Sequence, residues 1–100
     1  QLQPFVFVHL KSGLINYLWE KLYPEAIILY GSFVRGESTE YSDIDLFVIG
    51  KEENFDIKEF EKKLGKTVHI LFEDNIKNIP KELKNNIING IVLKGYLKLF

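Results

Sequence analysis

Two short apolar runs, each closed by a glycine, limit most strongly what this chain can fold into. The first is Ala26–Tyr30, followed by Gly31; the second belongs to Asp43–Ile49, is apolar from Ile44 onward and ends at Gly50. Short runs that are apolar at nearly every position are typical of strands buried on both faces. They therefore predict two central strands. The second is expected to be covered by helices on one side and by a partner or a second copy of the chain on the other.

Helical periodicity and turn residues predict the elements around these strands. The other predicted elements are a helix from Leu10 to Leu22, a helical turn Ser32–Arg35 with Ser32 as its N-cap, a polar loop Gly36–Ser42, a helix Phe55–Leu64, a strand Thr67–Phe72, a helix Pro80–Asn89 and a strand Ile91–Leu93. This order predicts one α+β or α/β domain over residues 1–100 with a small central sheet. Residues 1–9 are interpreted as a linker or the remnant of an upstream domain, with Pro4–Val8 as a short strand or a tail.

Composition restricts the classes of partner. The net charge is −1, so no overall field draws the chain to nucleic acid or to an anionic membrane. No apolar run approaches the roughly 20 residues of a membrane span, and the start of the chain has no signal-peptide pattern. Because the chain also has no cysteine, we expect a cytoplasmic protein without a membrane partner.

Asp43 and Asp45 stand at the head of the second strand. Residues i and i+2 of a strand share a face with Cα atoms about 6.6 Å apart, so these carboxylates point together. A divalent cation would remove their repulsion, and hard oxygen ligands suit Mg²⁺, which takes its other ligands from water and phosphate. The pair predicts half of a metal site.

Gly31 and Ser32 predict the other half, a cradle for phosphate. Glycine lets the backbone approach a ligand closely, and the following helical turn presents free N–H groups with a dipole that favours an anion. The Ser32 hydroxyl adds a donor, and Arg35 can reach phosphate with two bonds. If the two strands are neighbours, cradle and metal meet at one edge, which suits phosphoryl or nucleotidyl transfer.

Each feature also has a plainer structural interpretation. Gly-Ser after a strand is usually only a turn, and Asp-x-Asp is usually a solvated strand start or a helix cap. Arg35 alone suits a surface position or a salt bridge with Glu37. The combination, placed at the end of one apolar run and the head of the next, favours the nucleotide site.

Gly31-Ser32, ten intervening residues and Asp43-x-Asp45 resemble the signature of the DNA polymerase β-like nucleotidyltransferase superfamily. The longer match through Leu46 resembles its minimal nucleotidyltransferase branch, over roughly residues 24–93. The resemblance implies the nucleotidyltransferase fold, a small mixed sheet flanked by helices. It implies a nucleoside triphosphate, ATP first, held by Gly31 and Ser32, and two Mg²⁺ ions, with Mn²⁺ as a substitute, on Asp43 and Asp45.

The same resemblance implies a reaction and partners. An acceptor hydroxyl attacks the α-phosphorus and pyrophosphate leaves. Members of this branch include antitoxins that pair with a helical toxin, and others are fused to a winged-helix module. A toxin-like protein and a fused winged-helix domain are therefore the protein partners that the resemblance implies. A homodimer is also expected, because the second strand is apolar on both faces.

One position departs from the superfamily pattern, which places a third carboxylate on the strand after the second helix. Here the matching residue is His69, on the same face as Thr67 and Leu71, and we expect it to point toward the aspartates. A neutral imidazole can act as a general base near pH 7, yet it is a poor Mg²⁺ ligand. Glu73 has the right parity but lies about 13 Å further along an extended strand. The plainer alternative for His69 is a packed strand histidine.

Three functions stay open on the sequence. The first is an Mg²⁺-dependent enzyme that transfers a nucleoside monophosphate from a triphosphate to a hydroxyl acceptor, with Asp43, Asp45 and His69 as catalytic residues. The second is a catalytically impaired antitoxin or regulatory module of the same fold that binds nucleotide without turnover. The third is a structural interaction domain. His69 separates the first two, because loss of the third carboxylate harms catalysis more than binding.

Overall fold

A four-stranded mixed sheet forms the centre of the molecule in the computed structural model, which describes residues 10–36 and 43–96. The strands are β1 (Ala26–Tyr30), β2 (Ile44–Ile49), β3 (Val68–Glu73) and β4 (Ile91–Gly95). Their order is β3-β2-β1-β4. β1 pairs antiparallel with β2 and β4, whereas β2 and β3 run parallel. The predicted mixed sheet, with the two apolar runs at its centre, is confirmed.

Helices pack on both faces of this sheet. They are a π-helical segment Leu10–Ile15 that continues into α1 (Asn16–Leu22), then α2 (Ser32–Arg35), α3 (Lys58–Leu64) and α4 (Lys81–Ile88), with a 3₁₀ turn Ile76–Asn78 before α4. Gly65 ends α3 in the left-handed conformation, at φ +68°, as its place in the sequence predicts. Among the described residues, no helix has the length and apolar character needed to cross a lipid bilayer.

The sheet separates two clusters of buried apolar residues. The main core, on the face of α1, α2 and α3, includes Leu18, Leu29, Phe33, Leu46 and Val68. The second core, on the opposite face, consists of Ala26, Ile28, Phe47, Ile49, Ile79 and Ile87. The prediction that a partner or a second copy covers one face is wrong, because Ile87 of α4 and Ile79, which directly follows the 3₁₀ turn, cover it.

The first part of α3 differs from the prediction. The helix begins at Lys58 rather than Phe55, because the Asp56 side chain accepts a hydrogen bond from the Lys58 N–H (3.1 Å) and forms a turn there. Phe55 and Ile57 still pack against the main core, from a segment without regular structure. The spacing of these apolar residues therefore reflects their burial and does not indicate a helix.

Other boundaries shift by one or two residues. Gly31 is the N-cap of α2, so Ser32 is the first helical residue and not the cap. β2 begins after Asp43, β3 is displaced by one residue toward Glu73, and β4 extends to Gly95. The predictions for residues 1–9, with Pro4–Val8, and most of the loop that follows Gly36 lie outside the described residues.

Candidate active site

The pairing of the strands brings the predicted site residues to one edge of the sheet. Tyr30, the last residue of β1, lies opposite Asp45, near the start of β2. Asp45 in turn lies beside His69 on the parallel strand β3. The end of β1 and the starts of β2 and β3 therefore meet, and we call the resulting group of Gly31, Asp43, Asp45 and His69 the site edge.

Gly31 lies directly against the carboxylate of Asp45. Its backbone, at φ +85° and ψ −153°, occupies a region that is essentially restricted to glycine. A Cβ built on Gly31 would overlap Oδ2 of Asp45 and would lie 3.2 Å from its Cγ. The sequence predicted that the missing side chain makes room for a ligand; in the structure it makes room for the carboxylate beside the predicted cradle.

The cradle itself is a single tight helical turn. The Gly31 carbonyl accepts hydrogen bonds from the N–H groups of Val34 (3.1 Å) and Arg35 (3.2 Å). The N–H groups of Ser32 and Phe33 stand at the start of α2, where a helix offers no internal acceptor. Ser32, the first residue of this turn, is half-buried and directly follows Gly31 in the chain.

Asp43 and His69 form a hydrogen-bonded pair across β2 and β3. Nε2 of His69 lies 2.8 Å from Oδ2 of Asp43. Both side chains are accessible, at 56% for His69 and 46% for Asp43. His69 is thus turned toward the aspartates as predicted, and it is not a packed strand histidine. An exposed pair of this kind adds little to stability, so its main effect is to orient the imidazole.

Asp45 is the more buried of the two aspartates, and its surroundings disfavour its charge. Burial raises the pKa of Asp45, and the neighbouring Asp43 carboxylate raises it further, whereas His69 and Arg35 act in the opposite direction. Burial also raises the pKa of the Tyr30 phenol, and the Asp45 charge adds to that effect. A carboxylate held in this state gains more from a bound cation than a solvated one would.

Cationic side chains lie on and beside α2. Arg35 is exposed at the end of α2, close enough to influence Asp45 electrostatically. Lys66, which precedes β3, places its ammonium 5.1 Å from the centre of the Phe33 ring. The region around the cradle therefore carries positive charge that can compensate a bound anion.

The two carboxylates at the site edge suit Mg²⁺, which proteins usually hold through one or two carboxylates. Within residues 10–36 and 43–96, no three histidine or acidic side chains are grouped to hold a metal ion by themselves. Two aligned carboxylates nevertheless match the one or two that Mg²⁺ takes from a protein when phosphate and water complete its shell. Asp43 and Asp45 would hold the ion, beside the cradle for the phosphates.

Sequence reasoning missed two residues that shape this site. The sequence predicts Tyr30 only as a strand residue, although its pairing with Asp45 places it on the aspartate face. Glu61 of α3 accepts a hydrogen bond from the N–H of Val68 (2.8 Å), which fixes the start of β3 one residue before His69. The alternation of β1 could have revealed Tyr30, but no sequence pattern indicates the Glu61 contact.

Glu73 lies at the far end of β3, as its position in the sequence predicted. It pairs with Ile49, and its side chain accepts a hydrogen bond from the Asn75 N–H. A cavity of about 200 Å³ lined by Gly50, Glu52, Phe72, Glu73 and Asp74 also lies at that end. Glu73 and this cavity are therefore separate from the site edge.

Comparison with known protein families gives the chain its place. The family model described as a nucleotidyltransferase domain matches residues 11–93. The chain belongs to the nucleotidyltransferase domain family. The match covers β1, β2, β3, the first part of β4 and both motifs of the site edge, and it confirms the resemblance to the polymerase β-like nucleotidyltransferases.

Relatives of this nucleotidyltransferase domain include a protein of Methanocaldococcus jannaschii named "Putative protein adenylyltransferase MJ1379". It is 35% identical over 81 residues, which cover 71% of this chain and 81% of the relative. A crystal structure of a toxin-antitoxin with AMP-PNP matches with a TM-score of 0.65 at 20% identity, covering 86% of this chain and 73% of that chain. A toxin-antitoxin MntA-HpeT mutant, in which two aspartates two positions apart are changed to glutamate, matches with a TM-score of 0.63 at 17% identity and the same 86% and 73% coverage. At these identities the two structures support the fold.

Proposed function

We propose that this nucleotidyltransferase domain transfers AMP from ATP to a hydroxyl group of a protein, with a divalent cation on Asp43 and Asp45. The observation that carries the proposal is the contact between Gly31 and the Asp45 carboxylate, because it joins the phosphate cradle to the cation ligands. Neither half would support transfer at a distance from the other.

The raised pKa of Asp45 adds support. Two carboxylates turned to one face are costly without a cation, and a fold that keeps them there is consistent with one being bound during function. When bound, Mg²⁺ would neutralise charge on the triphosphate and polarise the phosphorus–oxygen bonds. Gly31 and Ser32 would hold the β- and γ-phosphates, and Arg35 would add a charged donor.

His69 is assigned the role of general base. In the neutral tautomer whose Nε2–H donates to the Asp43 carboxylate across their 2.8 Å contact, Nδ1 of His69 keeps its lone pair. Nδ1 would take the proton of the acceptor hydroxyl as its oxygen bonds to the α-phosphorus. The bond from that phosphorus to the bridging oxygen breaks, and pyrophosphate leaves.

The choice of AMP and of a protein acceptor is supported by the relatives. The M. jannaschii relative is named as a protein adenylyltransferase, and a structural neighbour is described with AMP-PNP. Both structural neighbours are toxin-antitoxins. A toxin-like protein partner is therefore the first acceptor to test, on the serine, threonine or tyrosine hydroxyls of its surface.

Incubation with α-³²P-ATP, Mg²⁺ and the protein encoded beside this chain tests the proposal. Label is expected on the partner with the native chain and not with an Asp43→Asn/Asp45→Asn variant. Lys58→Ala is a matched control, since Lys58 is an exposed residue of α3, and it should transfer label normally. Absence of label with a folded native chain, its true partner and bound nucleotide would exclude transfer.

A second function is favoured by His69 at the position of the expected carboxylate. In that case the domain is an antitoxin or regulatory module that binds nucleotide without turnover. Calorimetry would then show Mg²⁺-dependent ATP binding that the Asp43→Asn/Asp45→Asn variant abolishes, while no label is transferred to any partner. The same two measurements thus distinguish an enzyme from a binding module.

A further inference from the structure

The site edge offers fewer anionic ligands than a pair of metal ions requires. We propose, resting on the proposed function, that this domain holds one catalytic divalent cation instead of two, because His69 occupies the position of a third carboxylate. The two-cation arrangement implied by the superfamily resemblance needs ions about 3.5–4 Å apart, and anionic ligands must bridge them to offset their repulsion.

The pairing of the strands decides which residue β3 contributes to the site. Asp45 lies directly beside His69, so the β3 position nearest to the aspartates is an imidazole. The acidic residue of β3, Glu73, pairs with Ile49 at the opposite end of the sheet. Of the side chains in residues 10–36 and 43–96, no third one joins Asp43 and Asp45 as a metal ligand.

His69 also competes for the oxygens that would have to bridge two ions. Its Nε2 lies 2.8 Å from Oδ2 of Asp43, so part of the coordinating capacity of that carboxylate is used within the protein. An imidazole adds no negative charge, and its nitrogen is a weak ligand for Mg²⁺. The remaining oxygens of Asp43 and Asp45 can complete the shell of one Mg²⁺ together with phosphate and water.

Counting bound Mg²⁺ tests this inference without any catalytic assay. Equilibrium dialysis with Mg²⁺ and α,β-methylene-ATP, which resists transfer at the α-phosphorus, gives the number of Mg²⁺ ions and of nucleotides bound per chain. We expect one Mg²⁺ per bound nucleotide for the native chain and for His69→Gln, and two for His69→Asp. Thermal unfolding of each variant verifies that it is folded.

A count of two in the native chain overturns the proposal, and so does a count that His69→Asp leaves unchanged. Glu37→Gln and Glu40→Gln are further controls, because these acidic residues stand in the sequence between α2 and β2. Neither should alter the native count; a fall from two to one in either would show that the loop supplies the missing carboxylate. If the native chain binds no nucleotide, the proposed function fails as well, whereas nucleotide bound with two Mg²⁺ refutes only the single-cation site.

Discussion

Replacing Gly31 by alanine tests the contact that joins the two halves of the site edge. The substitution forces a side chain into a backbone conformation, φ +85° and ψ −153°, that costs about 1–3 kcal/mol. The new Cβ also overlaps Oδ2 of Asp45, and turning that carboxylate away costs roughly 0.5–1.5 kcal/mol if it leaves its rotamer. The expected loss of folding free energy is therefore about 2–4 kcal/mol, or roughly 10–30 °C in Tm for a domain of this size.

Urea denaturation of a double-mutant cycle separates these two costs. In an Asp45→Ala background the overlap is relieved, so Gly31→Ala should cost only the backbone part, about 1–3 kcal/mol. Gly65→Ala is the matched control: Gly65 also has positive φ, at +68°, but nothing lies within 4 Å of its added Cβ. Its cost should be about 1–2 kcal/mol and the same in both backgrounds.

Two results of the cycle would contradict the predicted contact. If Gly31→Ala costs the same with and without the Asp45 carboxylate, the two residues are not in the contact described. If it costs less than Gly65→Ala, the backbone of Gly31 is not strained. In either case the contact between Gly31 and Asp45 would not hold the cradle and the cation ligands together.

Three further predictions concern Asp45 and His69 of the site edge and the packing of α4 on the second core. Because burial raises the pKa of Asp45 above its ordinary 3.8, the folded state holds that proton more tightly than the unfolded one, and stability declines as pH rises above that value. Asp45→Asn should remove this decline in urea titrations above about pH 4 and leave the variant more stable than the native chain at neutral pH; a variant with an unchanged slope would contradict it. His69→Ala should lower the free energy of unfolding by less than about 1 kcal/mol, because its bond to Asp43 is exposed, yet slow AMP transfer roughly 10²–10⁴-fold in the labelling assay; an unaltered rate would exclude His69 as the base. Ile87→Ala should cost about 2–5 kcal/mol by denaturation, because Ile87 is 1% exposed whereas the control Ile88 is 53% exposed; equal effects of the two substitutions would mean that α4 does not cover the second core.

The central strands could be predicted because burial on both faces leaves a direct trace in the sequence. The continuous apolar runs closed by glycine predict both ends of β1 correctly and the start of β2 to within one residue. The shared face of Asp43 and Asp45 followed from the two-residue period of a strand. These features depend only on local geometry, which one sequence records well.

Features that depend on register or on distant contacts could not be predicted. The two-residue period of β3 predicts the face on which His69 lies. Its hydrogen bond to Asp43, however, depends on β2 and β3 being parallel and on the register that pairs Asp45 with His69. The Gly31 contact with Asp45 depends on a backbone conformation that the letter glycine permits without specifying. Residues Ile79 and Ile87 are separated by lysines and asparagines, so their burial against Phe47 was not evident.

The hydrogen bond from Val68 to Glu61 also affects how this molecule behaves among its own copies. β3 is an edge strand of the sheet formed by the described residues. The unpaired N–H groups of such an edge can form hydrogen bonds with a strand of another molecule. Glu61 occupies one of these groups and places a negative charge on the rim. An incoming strand would have to displace that carboxylate before it could pair with this end of β3, so Glu61 works against edge-to-edge aggregation next to His69.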